Sequence, residues 1–336
     1  MGRTVLAKIE TGARRVGAVE LARLANALDM RIEWFFEDAP PTVVSRRGSA
    51  EPGVPIQRID RYVERLAREL TFLGSIVDSL DLPASPGLPA PTDTPDAERV
   101  ASDVRDRLGY KGRQPALELV ERAARIGLLV FSLDCGPGAA DGASVLLDRG
   151  GVAVVNGNRH LGRRRLTAAH EIGHYVFGDE YSTDWNLLDG SASRTESLID
   201  RFARALLLPA GAMRNLWRAG EDTRTDAVLI AARFRVDMAT LATRLSELDL
   251  ASPDETAEVR STVTRKADIV EHDLFVPREL DPPDLPRVYV KSVLDAYQRR
   301  EISAARALSF LLETWDEDDL PELAMLPADA IWSFVS

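Results

Sequence analysis

Two histidines four residues apart, with a glutamate directly after the first, form the run His170-Glu171-Ile172-Gly173-His174. On a helix, positions four apart share a face, so both imidazoles can reach one metal ion. Glu171 then sits where it can take a proton from a metal-bound water. The chain has only four histidines, and two of them are here. The alternative is a helix that turns two histidines to solvent. Against it, Leu166, Ala169, Ile172, Gly173, Val176 and Phe177 supply apolar surface on both sides of the pair. Such a helix is buried, and a buried histidine pair needs a partner such as a metal.

Gly178 supplies a C-terminal stop for this helix. Upstream, Ala143–Asp148 and Gly151–Asn156 read as two strands joined by a turn at Arg149-Gly150-Gly151. A hairpin followed by an HExxH helix is the layout of zincin proteases. Gly151–Asn156 is expected to offer a free edge to an extended peptide. A catalytic zinc also needs a third protein ligand and an open position. Glu196 is the best candidate. It lies in a helical stretch whose stripe is Ile199, Phe202, Ala203 and Leu206, closed by Pro209. Asp200 shares its face and could accept a hydrogen bond from a ligand histidine, fixing its tautomer. In the competing reading, Glu196 is only the N3 partner of an N-cap Ser193. Asp179, Glu180, Asp184 and Asp189 are weaker ligand candidates, and His160 is either a substrate contact or a loop histidine.

From about Ala97 to Leu248 the chain resembles the ImmA/IrrE family of bacterial metallopeptidases. The resemblance is carried by Val152-Ala-Val-Val-Asn156, Arg163-Arg164-Arg165, Leu166-Thr-Ala-Ala-His-Glu-Ile-Gly-His174, and Glu196-x-x-Ile199-Asp200-x-Phe202-Ala203 before Leu-Leu-Leu-Pro209. The family usually has Ala and Asn where this chain has Ile199 and Asp200, and an aspartate is compatible with orienting a ligand. The resemblance implies a minimal gluzincin with Zn2+ on His170, His174 and Glu196, and Glu171 as catalytic base. It also implies a role in cleaving or inactivating a transcriptional repressor. The implied fold is α+β and mainly helical, with a small antiparallel sheet packed on the HExxH helix.

At 336 residues and 45% hydrophobic content, the chain can bury one large core or two to three smaller ones. A single cysteine, Cys135, excludes an internal disulfide and points to a reducing cytoplasm. It could switch onto the metal or be a bystander thiol. No signal peptide or long apolar run is present, so secretion and membrane association are not expected. A net charge of −11 argues against nucleic acid as the main partner of the whole chain. Charge is uneven, however. The first fifty residues are slightly basic, while acidic residues outnumber basic ones about two to one after Ala251.

Residues 1–50 contain Val5–Gly12, a short helix with a glycine stop, then a stripe of Leu21, Leu24, Ala25 and Leu28. This resembles the second half of an XRE-type helix-turn-helix domain, which implies possible DNA contacts through Arg3, Thr4 and Lys8. In residues 51–82, Ile59, Val63, Leu66, Leu70, Leu73, Val77 and Leu80 form an a/d seam. It suits either a short dimeric coiled coil or a helix packed on its own domain. The proline-rich stretch 83–95 reads as an extended linker and domain boundary. Residues 96–250 form the peptidase-like domain. Within it, Asp226–Leu248 reads as two short helices. The acidic region 251–336 is expected to bind a substrate or partner, with Phe275-Val-Pro277 as a short strand. Two functions are open at this point. One is a zinc endopeptidase acting on a protein such as a repressor. The other is a regulator or antitoxin that holds a partner such as a toxin, with a structural or vestigial metal.

Overall fold

The computed structural model describes residues 3–27, 32–36, 45–47, 58–178, 191–220 and 222–323. Contacts divide the chain into two compact units, Met1–Thr42 and Val43–Ser336.

In the smaller unit, α1 (Arg3–Glu10) ends in a turn at Gly12, whose φ of +69° favours glycine. Next come α2 (Ala18–Ala27) and a 3-10 turn at Ile32–Phe36. Arg14 and Glu20 pair at 2.7 Å, and Ala25 is buried. Thr4 and Lys8, one turn apart on α1, are exposed, and the Arg3 side chain lies outside the described residues.

The larger unit is built on a four-stranded sheet of order β1-β3-β4-β2, from β1 (Ser45–Arg47), β2 (Leu128–Leu133), β3 (Gly142–Leu146) and β4 (Gly151–Asn156). β3 and β4 form the expected antiparallel hairpin, closed by Leu147 N–H donating to Gly150 O at 3.1 Å. β2 runs parallel to β4, so the sheet is mixed rather than purely antiparallel. This makes β4 an interior strand with both main-chain edges paired. The expectation that a peptide docks along Gly151–Asn156 is therefore corrected. A continuous apolar run such as Val152-Ala-Val-Val155 is what a strand covered on both faces requires.

Strand alternation builds two cores. On one face Leu128, Val130, Ala153 and Val155 pack with α6 (Leu161–Phe177) and α7 (Ser191–Leu207). On the other, Leu129, Phe131, Val152 and Val154 pack with α3 (Arg58–Ile76), α13 (Arg287–Gln298) and α14 (Ala304–Phe310). The seam Ile59, Val63, Leu66, Leu70 and Leu73 is thus buried on the chain's own sheet. Tyr289 anchors this layer, its hydroxyl bonded to Glu69 Oε2 at 2.9 Å and to Phe310 O at 2.8 Å.

The proline-rich stretch is not a boundary between compact units. It lies against the end of α6, with Ser85 Oγ donating to Tyr175 O at 2.6 Å and Leu88 N–H to Val176 O at 2.7 Å. The region after Ala251 likewise belongs to the larger unit. Around the α6 core lie α4 (Thr94–Arg107), α5 (Leu119–Ala123), α8 (Ala210–Leu216), α9 (Thr223–Phe234), α10 (Met238–Glu247), α11 (Pro253–Ser261) and α12 (Lys266–Glu271). Phe275–Pro277 forms no strand. Among the described residues, Phe275 and Val276 are exposed. The sheet is extended instead by one bridge between Ser132 and Asp284.

Candidate metal centre

α6 carries the HExxH run through the middle of the larger core and stops at Gly178, in the left-handed region at φ 59°. His170, Glu171 and His174 are all buried. Gly173, inside the motif, sets how close the next helix comes. A Cβ there would lie 3.0 Å from Ile199 Cγ2 and 3.1 Å from Phe202 Cδ1, both on α7. That close packing brings Glu196 and Asp200 onto the histidines. α7 starts at Ser191, which puts Ser193 inside the helix and removes the capping-box alternative for Glu196.

His170 Nε2 and His174 Nε2 face each other at 3.0 Å. Glu196 reaches them with Oε2 at 3.4 Å from His170 and Oε1 at 3.7 Å from His174. The three donors converge as a group that could hold a metal ion. Donors bound tetrahedrally at zinc–nitrogen and zinc–oxygen distances stand about 3.3 Å apart, so this trio fits such an ion. Partial burial disfavours the Glu196 charge. Hydrogen bonds and charge from His170 and His174 outweigh it and hold the carboxyl well below its ordinary range.

Asp200 Oδ1 lies 3.0 Å from His170 Nδ1. The carboxylate accepts, so the proton belongs on Nδ1, and the Nε2 lone pair is left pointing at His174 and Glu196. On the sheet side, Ser144 Oγ donates to Glu171 Oε2 at 2.6 Å. Gly142, two residues earlier on β3, has no room for a side chain. A Cβ there would fall 2.4 Å from Thr167 Cγ2 and 2.7 Å from Glu171 Oε1. Sequence reading missed both residues. Their only trace is two small residues at alternate positions of the strand.

Other candidates are placed elsewhere. His160 is exposed at the start of α6, about 15 Å along the helix axis from His170. Cys135 is buried in the outer core, the one between the sheet and α3, α13 and α14, where burial pushes its thiol up to about 12. Arg163-Arg164-Arg165 is fully ion-paired, to Asp141, Asp281 and Glu279 respectively. Asp179, Glu180, Asp184 and Asp189 lie outside the described residues.

Residues 123–246 match the family model for the IrrE N-terminal-like domain, Peptidase_M78. The matched segment is a little over a third of the chain. It runs from the end of α5 through α10 and holds every residue of the centre. It leaves out α3, α13, α14 and the N-terminal unit. No curated protein matches the chain significantly. The chain therefore carries a metallopeptidase-like segment, with a His-His-Glu cluster compatible with a metal. Among the described residues, no helix is long and apolar enough to cross a membrane.

Proposed function

We propose that the chain is a zinc-dependent endopeptidase of a bacterial regulatory system, acting on a protein substrate such as a transcriptional repressor. The observation that carries this reading is the convergence of His170, His174 and Glu196 beside a buried Glu171. The family match agrees with it. His170, His174 and Glu196 would hold the ion, which when bound supplies Lewis-acid polarisation and a more acidic water. Glu171, fixed by Ser144, is placed to take a proton from an attacking water and would return it to the leaving amine. Asp200 keeps His170 in the tautomer that points its lone pair inward. The site is surrounded by apolar side chains of α6 and α7, which strengthens each of these interactions.

The test pairs metal analysis with Glu171→Gln. One equivalent of zinc should be found in both proteins, and cleavage of the protein encoded by the neighbouring gene should stop in the variant. Control of that partner surviving the substitution, with zinc still bound, would exclude proteolysis as the function.

A second reading, a regulator or antitoxin that binds a partner, has one observation in its favour. Phe275, Val276 and Val270 are exposed apolar side chains, and Phe275 borders a cavity of about 610 Å3 between α9 and the Asp273–Phe275 loop. In that reading Arg3, Thr4 and Lys8 contact DNA. Loss of operator binding on Lys8→Ala, with Glu171→Gln silent, would favour it.

A further inference from the structure

β3 has two edges. One pairs with β4; the other pairs with β1, antiparallel, with Ser45 opposite Ser144, Arg46 opposite Ala143 and Arg47 opposite Gly142. Ser144 and Gly142 are the two β3 residues that approach Glu171. β1 also packs on α6, the helix that carries the motif. A protein substrate hydrolysed with help from Glu171 would need an extended segment at this place, and sheet edges take such segments by main-chain hydrogen bonds. β4 has no edge to offer, and β2, two strands from β3, is met by Asp284 at Ser132. The edge beside the centre is therefore already filled, and it is filled by the chain itself.

We propose that the peptide hydrolysed at this centre is the chain's own Ser45–Arg47 segment, cut in cis. The proposal rests on the peptidase reading above and names its substrate. The segment follows directly on the boundary between the two compact units, Met1–Thr42 and Val43–Ser336. Its hydrolysis separates the N-terminal helical unit from the unit that holds the centre. One water is consumed. Its oxygen adds to the peptide carbonyl carbon, the C–N bond breaks, and Glu171 carries the proton to the departing nitrogen, leaving one new carboxyl and one new amine. No oxidant or reductant is involved.

The full chain, loaded with zinc, is followed by intact mass spectrometry, with casein added as an unrelated substrate. Two fragments whose masses sum to the chain plus one water, with the cut within residues 45–47, are expected. Their rate should fall at least about 100-fold in Glu171→Gln. A readout independent of activity uses metal-free Glu171→Gln carrying Arg46→Cys and Ala143→Cys. Mild oxidation should join these two facing positions by a disulfide, and failure to do so overturns the pairing. An intact or differently cut chain alongside cleaved casein overturns the self-processing proposal and leaves the peptidase reading standing. With zinc bound and neither the chain, nor casein, nor the protein encoded by the neighbouring gene cut, both fall.

Discussion

Ser144 Oγ on β3 donates a 2.6 Å hydrogen bond to Glu171 Oε2 on α6, tying the sheet to the motif helix at a fully buried carboxylate. A hydrogen bond to a charged group contributes about 1.5–3 kcal/mol. Ser144→Ala should therefore lower stability by about that amount in urea unfolding. It should leave metal stoichiometry unchanged and slow proteolysis about 10-fold or more. An unchanged rate would mean that Glu171 is held by other groups.

Asp200 meets the centre at His170, 3.0 Å from Nδ1. Partners of this kind are worth about 10- to 100-fold in metal affinity. Asp200→Ala should weaken zinc binding in that range in a chelator competition. Its side chain is about a third exposed, so the fold should be little affected. A loss of stability with unchanged affinity would reassign Asp200 to a structural role.

The motif residues were legible because their rule is local: ligands four apart on one helix, and Glu196 with Asp200 four apart on the next. The hairpin was legible for the same reason. What was not legible depends on which surfaces meet. Gly142 and Ser144 matter only because β3 lies on Glu171. The placing of β4 in the interior depends on β2, a strand the hairpin pattern does not involve. The stripe from Ile59 to Leu73 reads alike whether its partner is a second helix or a sheet. Arg163-Arg164-Arg165 looks like a basic patch until Asp141, Asp281 and Glu279 arrive from distant positions.

Burial raises the Cys135 thiol from an ordinary 9.0 to about 12. The folded state thus favours the neutral thiol. This contribution is fully present below about pH 9 and is lost as pH rises towards 12. At pH 8 the native protein should react with a thiol reagent at least about 100-fold more slowly than the urea-unfolded chain. Rapid native labelling would show that the outer core opens readily.

Leu66 lies wholly inside the outer core, between α3 and the sheet. Leu66→Ala should cost about 2–5 kcal/mol, with no change of oligomeric state by light scattering. If the α3 seam instead joined two chains, the substitution would dissociate a dimer.

Arg165 has no exposed side-chain surface, and its guanidinium is bonded to Glu279 and to Ala116 O. Glu279 also binds Arg235 at 3.1 Å and accepts from Leu119 N–H at 3.2 Å, so one carboxylate joins α6, the residue that caps α9, and α5. Burial lowers the Arg165 pKa against the pull of Glu279, the mark of a charge that depends on its partner. Glu279→Ala strands that charge in the core, and removing one member of a buried pair costs about 3–5 kcal/mol. Replacing both partners by apolar residues of similar volume, as in Arg165→Met with Glu279→Leu, should recover most of the loss because no uncompensated charge remains. Urea midpoints at constant m-value separate the two cases. A single variant losing less than about 1 kcal/mol would mean that water reaches Arg165, and that the loop carrying Glu279 does not seal this side of α6.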